Sequence, residues 1–208
     1  MSKEILFVRH GESIVNKTKT ISNRVSDNAP LTEIGRQQAQ ELLARIKGRK
    51  ITSIYSSPLM RARETAEIIA DGFGLEVEIS DALREPDCGE IEGRSDAEAW
   101  KMHSDQEEAW IRGDIDYRLK GGESLRDVRD RFIPFMEEVL SKHREDTGDI
   151  IFVSHGSILV NTLPLILTNI NSNFTHTASL ENSSYVLVDS SESGLRCIEW
   201  GGNACDIE

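Results

Sequence analysis

Cysteine is scarce in this chain of 208 residues, and its positions do not suit metal binding or disulfide pairing. The three cysteines, Cys88, Cys197 and Cys205, are odd in number and show no Cys-x-x-Cys spacing. The pattern argues against a zinc site or a disulfide framework and favours reduced thiols in the cytoplasm. A chain of this length buries roughly 70% of its unfolded surface, so one domain forms without such links.

Basic residues and long apolar runs are also lacking. Acidic residues outnumber basic ones 36 to 24, which gives a net charge of −12. Nucleic acids and anionic membranes attract clustered Lys and Arg, so neither partner is expected, and any anion must bind at a local site. The longest apolar run, 157–170, contains Asn161, Thr162 and Pro164 and is too short to span a bilayer, so it predicts a buried helix. No secretory segment precedes the first strand, which again favours the cytoplasm.

A short apolar strand leads into the most informative stretch of the chain. Residues 5–8 are all apolar and are followed by Arg9, His10 and Gly11, which predicts a strand buried on both faces. Open α/β sheets bind ligands at the carboxyl ends of their strands. Gly11 allows the backbone to come close to a ligand there. An arginine beside a histidine in this place can hold an anion and attack it.

Strand patterns and helix patterns alternate along the rest of the chain. Strands are predicted at 51–55, 75–79, 149–154, 184–189 and 195–200. Helices are predicted from an N-cap at Thr32, from Ser57-Pro58 and from Ser124. This alternation predicts an α/β fold, a mainly parallel doubly wound sheet with helices on both faces.

Residues 86–122 differ from the rest of the chain. They show no strand pattern, and Ser95 with Glu98 has the spacing of a capping box at a helix start. We therefore predict that residues 1–208 form a single domain, with a helical cap insertion at about 86–122. Trp100 and Trp110 are expected to pack within this cap.

A second strand ends in the same way as the first, because Phe152-Val153-Ser154 runs into His155 and Gly156. If the two strands are parallel neighbours, both imidazoles emerge at one edge of the sheet. Arg61 joins them in the first turn of the helix that begins at Ser57. The free N–H groups of that helix, and of the helix after Gly156, favour a tetrahedral oxyanion. Together these features predict a phosphate pocket.

Motifs spread over nearly the whole chain carry a family resemblance. In chain order they are Arg9-His10-Gly11-Glu12-Ser13 with Asn16, Pro30-Leu31-Thr32-Glu33-Ile34-Gly35, Ser56-Ser57-Pro58-Leu59-Met60-Arg61-Ala62-Arg63-Glu64-Thr65-Ala66, Leu83-Arg84-Glu85 with Cys88-Gly89-Glu90-Ile91-Glu92-Gly93, Gly121-Gly122-Glu123-Ser124 and Val153-Ser154-His155-Gly156. In this order the chain resembles the histidine phosphatase superfamily, in its phosphoglycerate-mutase-like branch.

The resemblance implies a role for each motif residue. His10 would be the nucleophile that becomes a phosphohistidine, and Glu85 would protonate the leaving oxygen and then help to activate water. The phosphoryl oxygens would be held by Arg9, Asn16, Arg61 and His155. Elementary electrostatics agrees, since cations beside His10 disfavour its protonated form and arginines neutralise transition-state charge. No metal or other cofactor is expected.

Each assignment has a structural alternative. Asn16 could cap a helix, His155 could be a core histidine, and Arg61 could pair with Glu64 on a helix surface. The acid could be a carboxylate near Glu85, namely Asp87, Glu90 or Glu92. No motif surrounds His103, His143 and His176, so they are expected to be ordinary packing or solvent-exposed residues.

Two short stretches depart from the family's pattern. Ser22-Asn23 stands where the family often has Thr or Gln followed by Gly, in a loop that helps to contain the substrate. Ala204-Cys205-Asp206 stands where the family commonly has Ala-His-Leu. The first departure leaves the role of that loop open, and the second has no functional explanation.

The favoured function is a phosphomonoester hydrolase for a small phosphorylated metabolite, and the first rival is a cofactor-dependent phosphoglycerate mutase. Mutases of this family carry a longer insertion rich in Tyr, Arg and Lys, whereas residues 86–122 hold ten acidic and five basic residues, a net of −5 that repels a polyanion. Other rivals are a silent phospho-ligand-binding domain and a metal hydrolase, although Arg9 beside His10 would repel a divalent cation. The physiological substrate and the oligomeric state, a homodimer included, stay open.

Overall fold

One sheet organises the fold in the computed structural model, which describes residues 3–191 and 194–205. Within these residues the strands are β1 (Lys3–Arg9), β2 (Ile51–Ser56), β3 (Val77–Ile79), β4 (Asp149–Ser154), β5 (Tyr185–Ser191), β6 (Gly194–Trp200) and β7 (Asn203–Ala204), in the order β3-β2-β4-β1-β5-β6-β7. The four strands from β3 to β1 are parallel, and β5, β6 and β7 extend the sheet in antiparallel fashion. The predicted α/β sheet is confirmed, and the antiparallel extension adds to it.

Helices cover both faces of the sheet, as predicted. They are α1 (Ile14–Thr18), α2 (Glu33–Ile46), α3 (Met60–Phe73), α4 (Ala97–Ile111), α5 (Leu125–Lys142), α6 (Gly156–Thr162) and α7 (Ser172–Thr177). Along β1, Ile5 and Phe7 pack with side chains of α5 and α6, whereas Leu6 and Val8 pack with those of α2 and α3. Burying each such side chain contributes about 1.5–3 kcal/mol, so β1 is held firmly from both faces.

The start of α2 is built against the loop that follows β1. The Thr32 side chain accepts a hydrogen bond from the Gly35 N–H at 3.1 Å, so the predicted N-cap is confirmed. A Cβ atom on Gly35 would collide with the backbone of Glu12, and one on Gly11 would collide with the backbone of Gly35. The two glycines therefore let these backbones touch directly beside His10.

Two predicted helix starts are wrong by two residues or fewer. Helix α3 has Leu59, not Ser57, as its N-cap, because the Ser57 hydroxyl accepts a hydrogen bond from the Leu59 N–H at 3.2 Å in a turn before the helix. Helix α4 has Asp96 as its N-cap, with the Asp96 carboxylate accepting from the Ala99 N–H at 3.1 Å, so the predicted capping box at Ser95 does not form.

Two predicted elements are shorter than expected. Strand β3 spans only Val77–Ile79, because it pairs on one side alone, with β2. The helix predicted over 157–170 ends at Thr162, and Pro164 lies in the short 3-10 turn that follows. Proline lacks the N–H that the interior of an α-helix uses for its hydrogen bonds, so its presence at position 164 disfavours a longer helix here. In the described part of the chain, no helix is long and apolar enough to cross a membrane.

The segment 86–122, which we call the cap segment, contains a short 3-10 turn and helix α4 but no strand. It has a small apolar cluster of its own, made of Ile21, Cys88, Ile91, Ala99 and Leu119. Ile21 belongs to the loop after α1, so this cluster attaches the cap segment to that loop. The cap segment thereby stands beside the strand ends that carry His10.

Candidate active site

His10 and His155 come together because β1 and β4 are parallel neighbours. Arg9, the last residue of β1, pairs with Ser154, the last residue of β4. The chain leaves both strands at the same edge of the sheet, and the two imidazole centroids lie 5.0 Å apart. The structure therefore brings the two histidine motifs of the sequence into one place.

His10 is held as a neutral imidazole with one nitrogen ready to react. Its Nδ1 lies 2.7 Å from the carbonyl oxygen of Gly11, which places the proton on Nδ1 and leaves the lone pair on Nε2. The Nε–H of Arg61 donates to that Nε2 at 3.0 Å. Burial lowers the pKa of His10 well below its ordinary value, and the charges of Arg61 and Arg9 lower it further. A neutral imidazole is the form that a nucleophile needs.

Arg61 is buried against the site and forms no ion pair with any residue that the structure describes. Besides His10, its guanidinium donates to the carbonyl oxygen of Ser22 at 2.8 Å and to Oδ1 of Asn23 at 3.4 Å. The alternative pairing with Glu64 is wrong, because Glu64 binds the guanidinium of Arg36 at 3.1 Å. A buried cation without a carboxylate is costly, and a bound anion would remove that cost.

Arg9 approaches the same place and also lacks a carboxylate partner among the described residues. It donates to the carbonyl oxygen of Leu180 at 2.7 Å, while its buried Nε has no hydrogen-bond partner in the described part of the chain. The Nδ1 of His155 is likewise buried without a partner there. Buried polar nitrogens are nearly always hydrogen-bonded, so the unpartnered Nε of Arg9, a residue that lines the cavity, favours an anion there.

His155 lies behind His10 and does not line the cavity. It is fully buried, and its Nε2 is 2.7 Å from the hydroxyl oxygen of Ser57. Burial, followed by the charge of Arg61, lowers its pKa well below the ordinary value. The structure therefore places it next to His10, with Ser57 fixing the imidazole ring.

Asn16 caps a helix, as one of its alternatives predicted, and it also lines the cavity. Its Oδ1 accepts from the N–H of Ser13 at 3.0 Å and from the Ser13 hydroxyl at 2.8 Å, which forms a capping box at the start of α1. The residue also lines the cavity. Because the cap uses Oδ1, the amide nitrogen remains available as a donor toward a ligand.

Glu85 caps the N-terminus of α6. Its carboxylate accepts from the N–H of Ser157 at 3.1 Å and from the N–H of Ile158 at 2.9 Å. The prediction that these α6 N–H groups are free for an oxyanion is therefore wrong. Of the carboxylates considered for the acid, Glu85 alone lines the cavity, in contrast to Asp87, Glu90 and Glu92.

The Ser22-Asn23 departure contributes to the site by holding Arg61. Both residues line the cavity, and both accept hydrogen bonds from the Arg61 guanidinium. The N–H of Asn23 donates to the Glu92 carboxylate at 2.8 Å, and Glu92 also accepts from the N–H of Cys88 at 2.8 Å. This loop thus links Arg61 to the cap segment.

The other departure lies away from the cavity. Cys205 is buried with its sulfur 2.9 Å from that of Cys197, and both are free thiols. Asp206 lies outside the described residues.

The cavity beside His10 has a volume of about 370 Å³. Its residues come from several loops and helices: Arg9, His10, Val15, Asn16, Thr20, Ile21, Ser22, Asn23, Arg61, Glu85, Trp100, His103, Glu107, Gly156, Ser157, Val160, Thr175, His176, Ala178 and Leu180. The volume lies near the small end of the roughly 300–1,000 Å³ usual for ligand pockets, which suits a small metabolite.

Sequence reasoning missed one wall of this cavity. Trp100, His103 and Glu107 of α4 line it, as does His176 of α7, whereas Trp100 was expected to pack within the cap, the two histidines to be ordinary residues, and Glu107 was not singled out. The spacing of the three α4 residues places them on one helix face, which is the only signal in the sequence that could have found them. His143, in contrast, is an ordinary buried residue that bonds to Tyr55 and Asp146.

Metal ligands are not grouped in the described part of the chain. Residues 3–191 and 194–205 contain no set of three or more His, Cys, Asp or Glu arranged to hold a metal ion.

Comparison with known proteins gives one family and one fold. A model of the histidine phosphatase superfamily, branch 1, matches residues 5–203. Phosphoglycerate mutase-like protein 4 of Arabidopsis thaliana is 37% identical over 159 residues, which is 75% of this chain and 67% of that protein. The protein named "Putative phosphoserine phosphatase 2" of Hydrogenobacter thermophilus is 31% identical over 168 residues, 81% of this chain and 80% of that protein.

Solved structures agree with the sequence comparison on the fold. The native mycobacterial glucosyl-3-phosphoglycerate phosphatase superposes with a TM-score of 0.81, over 98% of this chain and 100% of that one. Its sequence is 23% identical, so this likeness concerns the fold.

Proposed function

The chain belongs to the histidine phosphatase superfamily, and from its site we propose that it is a phosphomonoester hydrolase working through a phosphohistidine on His10. One observation carries the proposal. Arg9 and Arg61 stand beside a neutral His10, and neither has a carboxylate within 4.0 Å in the described residues. Two unpaired guanidinium groups and a nucleophile are what a phosphate dianion needs.

The phosphoryl group would bind between the two arginines. At an effective dielectric near 20, opposite charges about 4 Å apart attract by about 4 kcal/mol, so this local attraction outweighs the acidity of the whole chain. The Nε–H of Arg61 would turn from His10 to a phosphoryl oxygen, which frees the Nε2 lone pair for attack. Asn16 would donate its amide, and His155 would support the ring of His10 from behind.

In the first step, Nε2 of His10 attacks phosphorus as the ester P–O bond breaks. The leaving oxygen takes a proton from Glu85 and departs as an alcohol, while the proton on Nδ1 of His10 stays bonded to the carbonyl of Gly11. In the second step, a water oxygen attacks phosphorus, Glu85 takes a proton from that water, and the P–N bond breaks. Inorganic phosphate leaves, and His10 returns to its neutral form. The arginines stabilise the equatorial charge in both steps.

Phosphoglycerate mutase is the second candidate, because several relatives are named as phosphoglycerate mutases or as mutase-like. A phosphoglycerate brings a carboxylate besides its phosphate, and that carboxylate needs its own cation. In the cavity as described, Arg9 and Arg61 are the only Lys or Arg residues, and both approach His10. The net charge of −5 in the cap segment adds repulsion. These charges favour the hydrolase.

Location and organisation are part of the proposal. The free thiols of Cys88, Cys197 and Cys205 support a reducing cytoplasm. We retain the interpretation of a single domain whose cap segment covers the site, working on a small metabolite without a resident cofactor.

The first experiment measures phosphate release from p-nitrophenyl phosphate and a panel of phosphomonoesters, in EDTA, for wild type and His10→Ala. The panel includes 3-phosphoglycerate with and without 2,3-bisphosphoglycerate. We expect release in wild type and none in His10→Ala, with an acid-labile, alkali-stable phosphoprotein trapped by quenching wild type alone.

Other outcomes identify the rivals. Interconversion of phosphoglycerates without net release of phosphate would favour the mutase. Binding of phosphate esters without turnover would favour a silent phospho-ligand-binding domain. Activity restored only by adding a divalent ion would favour a metal hydrolase.

A further inference from the structure

The cavity has two halves of opposite charge. The inner half carries Arg9, Arg61 and His10, whereas the wall made by α4 carries a carboxylate, Glu107. The proposed reaction uses the residues of the inner half together with Glu85, and it assigns no role to Glu107. The leaving alcohol is the part of the substrate that remains after phosphoryl transfer. It would lie against the wall of the cavity that α4 makes.

Ser157 connects Glu107 to the proposed acid. Its backbone N–H donates to the carboxylate of Glu85 at 3.1 Å, and its hydroxyl donates to the carboxylate of Glu107 at 2.8 Å. One residue therefore holds both carboxylates. A leaving oxygen placed at Glu85 would have the next one or two carbons of its alcohol beside Glu107.

The charge of Glu107 is not neutralised by a strong cation. In the described residues no Lys or Arg lies within 4.0 Å of it, and the imidazole of His103 lies nearby, with its Nδ1 3.9 Å from Oε2. Burial lowers the pKa of the neighbouring His176, so that imidazole is neutral at neutral pH. About a third of the Glu107 side chain is exposed, so a ligand can reach it.

We propose that the leaving alcohol of the substrate carries a protonated amine two carbons from the ester oxygen, with Glu107 as its partner. This assignment rests on the proposed function, and it narrows the substrate class to small amino-alcohol phosphates without a second anionic group. Val160 and Trp100 line the same wall and would contact the carbon chain. A carboxylate in the place of the amine would face Glu107 and be repelled.

The test compares four esters of nearly equal size at pH 7.5. They are 2-aminoethyl phosphate, 2-hydroxyethyl phosphate, propyl phosphate and 2-phosphoglycolate, which present an ammonium, a hydroxyl, a methyl and a carboxylate at one position. We expect kcat/KM to fall in that order, with the ammonium ester at least about tenfold above propyl phosphate, a difference that one ion pair supplies. An equal rate for the ammonium and methyl esters would overturn the proposal.

The substitution Glu107→Gln keeps the shape of the side chain and removes its charge. We expect it to lower the ratio of kcat/KM for the ammonium ester over propyl phosphate by about tenfold or more. The matched control is Glu108→Gln, because Glu108 is the next residue of α4, lies exposed and pairs with Arg112. That control should keep the wild-type ratio. Should Glu107→Gln fail to fold, the ranking of the four esters with the wild-type protein still tests the amine assignment.

The two proposals fail in different ways. If all four esters are hydrolysed with dependence on His10 but without preference, the hydrolase stands and the amine assignment is wrong. If none is hydrolysed, calorimetric binding of the same four esters to wild type tests the assignment alone. Tighter binding of the ammonium ester than of propyl phosphate would then support it, and equal binding would refute it.

Discussion

The Nε–H of Arg61 points at Nε2 of His10 across 3.0 Å, so the arginine donates a hydrogen bond to the lone pair of the proposed nucleophile. Binding of a phosphate would move that N–H to a phosphoryl oxygen. The same group thus restrains His10 at rest and binds charge in the transition state. Arg61 sits in the first turn of α3 and can serve both functions with a small rotation of its guanidinium.

Removing this guanidinium should damage catalysis far more than removing its neighbour. For Arg61→Ala we expect kcat/KM for p-nitrophenyl phosphate to fall about 10²–10³-fold, the usual effect of deleting one transition-state donor. Arg63→Ala is the matched control, because Arg63 is exposed on the same helix and pairs only with Glu67 at 3.5 Å. Its activity should stay within about twofold of wild type. Equal losses in the two variants would contradict the site.

A second arginine is expected to position Glu85 without touching the substrate. Arg131 donates to the carbonyl oxygens of Ala82 and Arg84 at 2.9 and 2.8 Å, and it binds the Glu123 carboxylate at 2.9 Å. Glu123 in turn accepts from the N–H of Asp87 at 2.9 Å. Arg131 and Glu123 therefore hold the backbone in place on both sides of Glu85.

The variant Arg131→Met should lose more activity on substrates whose leaving group needs a proton than on substrates whose leaving group does not. p-Nitrophenolate leaves without a proton, whereas an alkoxide needs one from Glu85. We expect kcat/KM, which reports the step that releases the alcohol, to fall about tenfold more for propyl phosphate than for p-nitrophenyl phosphate, a part of the 10²–10⁴ that general acid catalysis contributes. Arg129→Met is the control, since Arg129 is exposed and pairs with Asp130. A uniform loss on both substrates would mean that Arg131 is merely structural.

Stability should decline on the acid side of neutrality. The folded protein lowers the pKa of His10 and of His155 below 6.5, so above pH 6.5 both histidines are neutral in the folded and unfolded states. Below pH 6.5 the unfolded chain binds protons that the folded protein excludes, and the free energy of unfolding falls until the lowered pKa values are reached. Each histidine contributes a slope of at most about 1.4 kcal/mol per pH unit.

Urea unfolding between pH 7.5 and 5.0 measures this slope. His10→Gln removes one of the two contributions, so the decline below pH 6.5 should be shallower in the variant than in wild type. Identical slopes for the two proteins would refute the linkage.

The backbone contact between Gly11 and Gly35 should be intolerant of a methyl group. Alanine favours a helix over glycine by about 1 kcal/mol, which would stabilise Gly35→Ala if space allowed. The added Cβ would instead collide with the backbone of Glu12, at a cost of about 1–3 kcal/mol or more. We expect a net loss in the free energy of unfolding, together with reduced activity because the displaced backbone carries His10. Gly48→Ala is the control, since nothing lies within 4 Å of its Cβ position.

The sequence predicted the centre of the site because that centre depends on local pattern and sheet topology. Apolar runs ending in Arg9-His10-Gly11 and in His155-Gly156 indicate two buried strands, and parallel pairing puts their ends side by side. The capping of α6 by Glu85 was not predictable in this way. It joins residues more than seventy positions apart through backbone N–H groups, which leave no signature in side-chain chemistry.

Helix starts and the outer wall show the limits of the same reasoning. Ser57 has the character of an N-cap, yet its hydroxyl serves a preceding turn and the ring of His155, so local preference gave way to tertiary contacts. The α4 face with His103 and Glu107 carries no sequence motif. Whether that face lines the cavity depends on how the cap segment packs. That packing is decided by the apolar cluster around Ile91.

The position of β1 between β4 and β5 has a consequence for how the chain folds. Phe7 pairs with Phe152 on one side and with Val186 on the other. Strand β1 therefore cannot pair with β4 or β5 until those much later parts of the chain have been synthesised. Long-range pairing of this kind is slow, and an unpaired apolar strand is prone to aggregate. During synthesis His10 would therefore be made long before the two strands that pair with β1, and its pocket would be among the last parts of the molecule to assemble.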